Sequence, residues 1–287
     1  MLKTLLLAFL LILCSASPAL AAKEKESAYD RVMRTKTLRC GYIPYEPYLI
    51  KDPNTGALSG ITVEYIDAIG KRLGLKVDWA GEVNIDQVVP ALNGGRFDAF
   101  CVPCTPDHDW VNVLDFSGSL GALPYYVYVS QNSEMTKEQI ETAKFAIVDG
   151  FVQTEITKQS FPNAQYQGLP QTTSPAEMYD QLKYGKADAL VNEDISAMNY
   201  MKNNPGVIRR FSDKPMIAMK MFLVTPKGDE KMRDFFGRNF DTGTPENLSL
   251  VKDLLVKYKV PEGSFLLGDQ CKKPTVTDKG WKICTQD

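Results

Sequence analysis

Histidine is almost absent from this chain: one residue, His108, in 287. That imidazole stands in a loop between Asp107 and Asp109, which excludes a plausible Ser-His-Asp triad and leaves no paired histidines for a zinc finger. A phosphate-cradling P-loop is missing too. After residue 21 no stretch reaches roughly 18 consecutive apolar residues, the length a membrane-spanning helix requires. Gly/Ser linkers, low-complexity tracts and blocks of like charge are lacking, so any two domains must be joined by strands rather than by a tether. Basic residues show no excess, 33 against 35 acidic, which gives no electrostatic footprint for nucleic acid. What remains is ample for a core. The composition is 44% apolar, over a length that suits one large domain or two medium ones.

The first 21 residues carry Lys3, an apolar run from Leu5 to Leu13, and Ala19-Leu20-Ala21. That is the layout of a secretory signal cleaved before Ala22, so a soluble, exported, periplasmic protein is expected. Leu13 precedes Cys14 where a lipoprotein site wants a small residue, which argues against a lipid anchor.

Strand and helix periods alternate in two series. Leu38 to Ile43 (strand), Ile61 to Leu73 (helix), Leu75 to Trp79 (strand), Ile85 to Asn93 (helix) and Phe97 to Val102 (strand) form the first. The second holds Phe145 to Val148, a helix from Phe151 to about Ser160, a strand near Gln165, a helix opened by the capping box Ser174-Pro175-Ala176-Glu177, and a strand from Ala187 to Val191. This alternation predicts an α/β protein with a parallel sheet for each series. A strand from Ile217 to Val224 follows, then helices Glu230 to Phe240 and Pro245 to Tyr258, the last capped by Thr244.

Three groups of residues carry a family resemblance. The loop region supplies Pro90-Ala91-Leu92, Gly95-Arg96-Phe97-Asp98, Thr105 and Asp115-Phe116-Ser117. Gly56 with Leu58-Ser59-Gly60, Val63 and Glu64 forms a second group, and Gly185-Lys186-Ala187-Asp188-Ala189-Leu190 a third. In order, these resemble the bacterial extracellular solute-binding proteins of family 3, the amino-acid-type receptors of ATP-binding cassette importers.

The resemblance implies a two-lobed periplasmic binding protein of type II, each lobe a mostly parallel sheet flanked by helices, joined by a two-strand hinge. Lobe 1 is expected over residues 30–123 and 217–265, lobe 2 over 124–216, and a tail over 266–287. A monomer is expected, with a small-molecule ligand, a membrane permease as partner, and no cofactor.

The resemblance also implies a ligand site at the carboxyl ends of the strands. Tyr45 and Tyr48 take the place of an aromatic packed on the ligand, and Cys104 and Thr105 end the loop strand. The arginine that clamps an α-carboxylate in the family falls on Trp110, and indole cannot imitate a bidentate guanidinium. The family's Gly-Thr-Thr helix start falls on Gly150-Phe151-Val152-Gln153, which loses the hydroxyls. The acid that pairs with the ligand's amino group falls on Glu193. A ligand that is cationic or heterocyclic, rather than a standard α-amino acid, is therefore expected. A plainer reading leaves Asp107, Asp109, Glu193 and Asp194 as solvated rim residues.

Five cysteines follow Cys14. Cys271 and Cys284 flank a polar tail and are expected to form a disulfide. Cys101-Val102-Pro103-Cys104 invites redox and, with His108, metal readings. Both lack support, from thioredoxin topology and from a fourth ligand respectively. A disulfide within the pair or to Cys40 is expected instead, its pairing open. Two further functional readings stay open, a dehydratase on the same scaffold and a binding module for a sensor or a dehydrogenase.

Overall fold

The computed structural model describes residues 26–106, 109–268, 274–276 and 282–284. The expected signal segment, Asp107, His108 and Cys271 lie outside them, and with Cys271 the expected tail disulfide.

The chain opens with α1 (Ala28–Thr35), β1 (Thr37–Tyr42), β2 (Ile50–Lys51), β3 (Leu58–Ser59), α2 (Ile61–Arg72), β4 (Lys76–Glu82), α3 (Ile85–Asn93) and β5 (Ala99–Cys104). It continues through α4 (Trp110–Val113), the long β6 (Leu114–Ser130), α5 (Lys137–Ile140), β7 (Lys144–Val148), α6 (Val152–Ser160), β8 (Gln165–Leu169), α7 (Pro175–Lys183), β9 (Ala189–Glu193) and α8 (Asp194–Asn203). The last elements are β10 (Ile208–Arg210), β11 (Ile217–Pro226), α9 (Glu230–Asn239), α10 (Pro245–Lys257), β12 (Pro274–Val276) and β13 (Lys282–Cys284). Among the described residues no helix is long and apolar enough to cross a membrane.

Two parallel groups, β4-β1-β5 and β9-β7-β8, are joined into one sheet by the antiparallel strands β11 and β6. The two parallel groups are those of the two series read from the sequence, and β6 is what joins them. Its 17 residues are buried almost throughout, as a strand covered on both faces must be. Leu114 to Tyr125 pair with β11, and Tyr125 to Val129 pair with β9, so a single strand serves both parallel groups.

The two groups repeat one device. Asp98, from Gly95-Arg96-Phe97-Asp98, donates its N–H to the Arg39 carbonyl of β1 at 2.9 Å and accepts the Arg39 N–H on Oδ2 at 2.7 Å. Asp188, from Gly185-Lys186-Ala187-Asp188, bonds Lys144 of β7 in the same way, with Oδ2 accepting at 2.9 Å. The aspartate that recurs in both motifs thus clasps the start of the neighbouring parallel strand. Asp98 is buried and also receives the Arg31 and Arg39 guanidinium groups. Asp98→Asn keeps an acceptor for the backbone but removes the charge. It is expected to cost about 2 kcal/mol, read as a lower urea midpoint.

Helix ends follow the local chemistry. The Ser174 hydroxyl accepts the Glu177 N–H at 3.3 Å while Glu177 accepts the Ser174 N–H at 2.8 Å, the expected box. Thr244 caps α10. The carbonyls of Pro47 and Tyr48 accept the N–H groups of Ile61 and Thr62, so the first turn of α2 anchors the loop after β1. Gly60 allows this approach at φ 118°, because a Cβ there would lie 2.5 Å from the Tyr48 carbonyl oxygen.

The cysteine question closes within the sheet. Cys40 of β1 and Cys101 of β5 form a disulfide between neighbouring buried strands. This removes Cys101 from any bond to Cys104 and from metal ligation. Cys104 is half-buried and directs Sγ at the Val102 carbonyl, 3.5 Å away.

A late segment meets the middle of β6. Leu266 and Ala122 exchange two backbone hydrogen bonds of 2.8 Å. Gly121, at φ 133°, admits Phe265, whose ring lies 2.4 Å from where a Cβ would stand.

Candidate functional site

Glu193 ends β9 and caps α8. Its Oε2 accepts the Ser196 N–H at 2.7 Å, placing a carboxylate at the positive end of the helix. Unlike a rim residue, Glu193 is only 4% exposed. Burial raises its carboxyl to about 7, against the lowering effect of the Tyr45 and Ser196 hydrogen bonds. Among the described residues, no lysine or arginine pairs with it.

Four tyrosines surround this acid. Tyr45 reaches it from the loop after β1 and donates its hydroxyl to Oε1. Tyr48 stacks beside Tyr45, ring centroids 5.5 Å apart, and tilts against Phe265 at 6.1 Å. Its hydroxyl is buried without a hydrogen-bond partner among the described residues. Tyr125 stands directly opposite Glu193 in the β6–β9 ladder, so the two side chains share a face of the sheet. Tyr179 approaches from α7, among Glu193, Ser196 and Asn192. All four phenols are pushed upward, first by burial and then by the neighbouring acid.

Sequence reasoning had named Tyr45, Tyr48 and Glu193, and the structure brings them together. Thr105 and Cys104 stand beside Tyr125. Tyr125 and Tyr179 were missed. Tyr125 could have been found, since it directly follows the expected crossing near residue 124, where a side chain faces both lobes.

The remaining candidates stand elsewhere. Trp110 begins α4 and meets Phe100 edge-on at 6.5 Å, within the cluster of Leu49, Val102, Leu114 and Val224. Phe151 precedes α6 and packs on the cluster of Tyr126 and Val148. Val152 lies against the main core and Gln153 is half-buried.

Asp194 proves to be neither a rim residue nor a pocket acid. Its fully buried carboxylate takes the Arg210 guanidinium, the Tyr128 hydroxyl at 2.7 Å and the Ser264 hydroxyl. Asp109 is exposed, as the rim reading expects. Two adjacent acids therefore have opposite environments: Asp194 is matched by a cation and two hydroxyls, whereas Glu193 has phenols and one backbone N–H.

A crevice of about 360 Å³ adjoins the cluster. Pro44, Tyr45 and Glu46 line one side, and Tyr179, Ser196 and Asn199 the other. The Asn199 amide donates to the Glu46 carbonyl at 3.1 Å across it.

A buried acid with no cation beside it among the described residues, walled by aromatic rings at the carboxyl ends of parallel strands, has the chemistry to take a positively charged group. The family model of the bacterial extracellular solute-binding proteins, family 3, matches residues 38–259. A protein of Campylobacter jejuni subsp. jejuni serotype O:2, named "Probable histidine-binding protein", is 24% identical over 246 residues, 83% of this chain and 91% of that one. The L-cystine-binding protein TcyA of Bacillus subtilis (strain 168) is 25% identical over 212 residues, 70% of this chain and 77% of its own. The ancestral amino acid-binding protein AncCDT-1, a precursor of cyclohexadienyl dehydratase, superposes with a TM-score of 0.64 at 23% identity. That match covers 81% of this chain and 99% of the ancestral one, and at such identity it speaks for the fold. The chain belongs to the bacterial extracellular solute-binding proteins of family 3.

Proposed function

We propose that this protein captures, in the periplasm, a small solute bearing a cationic nitrogen, and delivers it to the permease of an ATP-binding cassette importer. The observation that carries the reading is Glu193, a buried carboxylate with no ion pair among the described residues, ringed by Tyr45, Tyr48, Tyr125 and Tyr179. A cation supplies the missing counter-charge, and the phenol faces favour it further. The relatives' names, histidine- and cystine-binding, support an amino-acid-like solute. Trp110 at the family's clamp position favours one that does not depend on a guanidinium for its carboxylate.

The halves that close on it are residues 30–123 with 217–265, and residues 124–216, acting as a monomer. Support comes from β6 and β11, whose pairing spans both expected crossings. Two adjacent strands make a hinge that bends without breaking the core of either half.

A thermal-shift series tests the reading, because a ligand at a hundredfold its dissociation constant adds about 2.7 kcal/mol. Histidine, arginine, ornithine, histamine or a basic heterocycle is expected to raise the melting temperature, and Glu193→Gln to abolish the rise. An equal response to acidic amino acids would overturn it. One feature favours a second reading as an enzyme: a buried carboxyl poised near 7 suits general acid–base work. Consumption of the stabilising compound over hours would establish that reading, and unchanged recovery would exclude it for that compound.

A further inference from the structure

Glu193 is only 4% exposed, so a cation reaches it only if a wall moves. Tyr48, Tyr125 and Tyr179 are at most 3% exposed and belong to packed clusters, so none of them can swing without opening a core. Tyr45 is different. It is half-buried, packs only at the margin of two clusters, sits on a loop, and comes from the opposite side of the crevice. Its hydroxyl ends on Glu193 Oε1, and its ring lies against that of Tyr48.

We propose that Tyr45 is the gate of the site: its hydroxyl latches the two sides of the crevice through Glu193, and the cation enters by displacing it. The proposal rests on Glu193 being the anchor of the solute, as argued above. Displacement does two things at once. It frees a lone pair on Oε1 for an N–H donor, and it uncovers the ring of Tyr48, whose buried hydroxyl has no partner of its own among the described residues. A primary ammonium, guanidinium or imidazolium can use both acceptors. A quaternary ammonium, which has no N–H, can use neither by hydrogen bonding and gains only the aromatic faces. Tyr45 therefore also selects, because an entering group must replace a hydrogen bond to a carboxylate as well as fill space. The Asn199 bond to the Glu46 carbonyl is a weaker second tie across the same crevice.

The test separates the latch from the function. X-ray scattering on ligand-stripped protein compares wild type, Tyr45→Phe and Glu193→Gln. Tyr45→Phe keeps the ring and loses only the hydroxyl, so it is expected to fold, and to shift the closed-to-open ratio roughly tenfold toward open, seen as a larger radius of gyration. Glu193→Gln turns its one oxygen to the Ser196 N–H and can still donate its amide N–H to the Tyr45 hydroxyl, so it is expected to stay compact. Equal radii for wild type and Tyr45→Phe would overturn the latch, whatever the protein binds. Stopped-flow fluorescence with arginine, histidine and choline then reads the gate. Tyr45→Phe is expected to speed association of whichever N–H-bearing probe binds, and to narrow its advantage over choline. Unchanged association rates would overturn gating. Failure of all three probes to bind, alongside an expanded Tyr45→Phe, would retain the latch and sink the cationic-solute reading.

Discussion

Replacing Glu193 by Gln is expected to stabilise the protein above pH 7, by up to about 3 kcal/mol. The carboxyl moves from 4.5 to about 7 on folding, mainly through burial. At about 1.4 kcal/mol per unit, a rise of this size makes the folded state bind the proton more tightly than the unfolded one. The sign follows from the proton count. Below about pH 4.5 both states hold the proton and the stabilising contribution is fully present. Between 4.5 and about 7 the unfolded chain ionises first, so that contribution falls with rising pH and is lost above 7. Glutamine removes the charge and keeps one oxygen for the Ser196 N–H, while its amide N–H can donate to the Tyr45 hydroxyl. Urea midpoints of the two proteins, measured from pH 4 to 9, should therefore separate across this interval. Parallel curves would mean that Glu193 does not titrate as described.

The disulfide gives the larger effect. Cys40 and Cys101 are 61 residues apart, and closing a loop of that length lowers the unfolded chain's entropy by the equivalent of about 4 kcal/mol. Cys40→Ala combined with Cys101→Ala, or reduction, is expected to lower the melting temperature by roughly 10 °C. Differential scanning calorimetry with thiol counting checks it, and an unchanged transition in fully reduced protein would refute it. The bond ties β1 to β5, and the loops after these strands carry Tyr45, Tyr48 and Thr105. Reduction should thus weaken ligand binding before it unfolds the rest.

The sequence was readable where a period or a cap is local. Helix α3 lies where the pattern placed it, Ile85–Asn93, and α7 starts behind the Ser174 box. It was less readable where burial is two-sided. β6 carries no alternation because both faces are covered, and only its middle could be marked, as a crossing. Helix α8 was missed because its opening acids, Glu193 and Asp194, read as pocket or rim residues, while in the fold the first caps the helix and the second balances Arg210. At the site, Tyr45, Tyr48 and Glu193 came from matching positions to a family pattern. Tyr179 could not, since it faces Glu193 from a helix whose packing only the fold defines.

The position of β11 sets an order of events for a chain delivered N-terminus first. β1, β4 and β5 are complete by residue 104, yet the strand that seats between β5 and β6 begins at residue 217. The intervening residues, with the whole of the β9-β7-β8 group, emerge while β5 still has a bare edge. The earliest strands therefore wait on one of the latest, which makes the interval before residue 217 emerges the time when this protein is most open to pairing with the wrong neighbour.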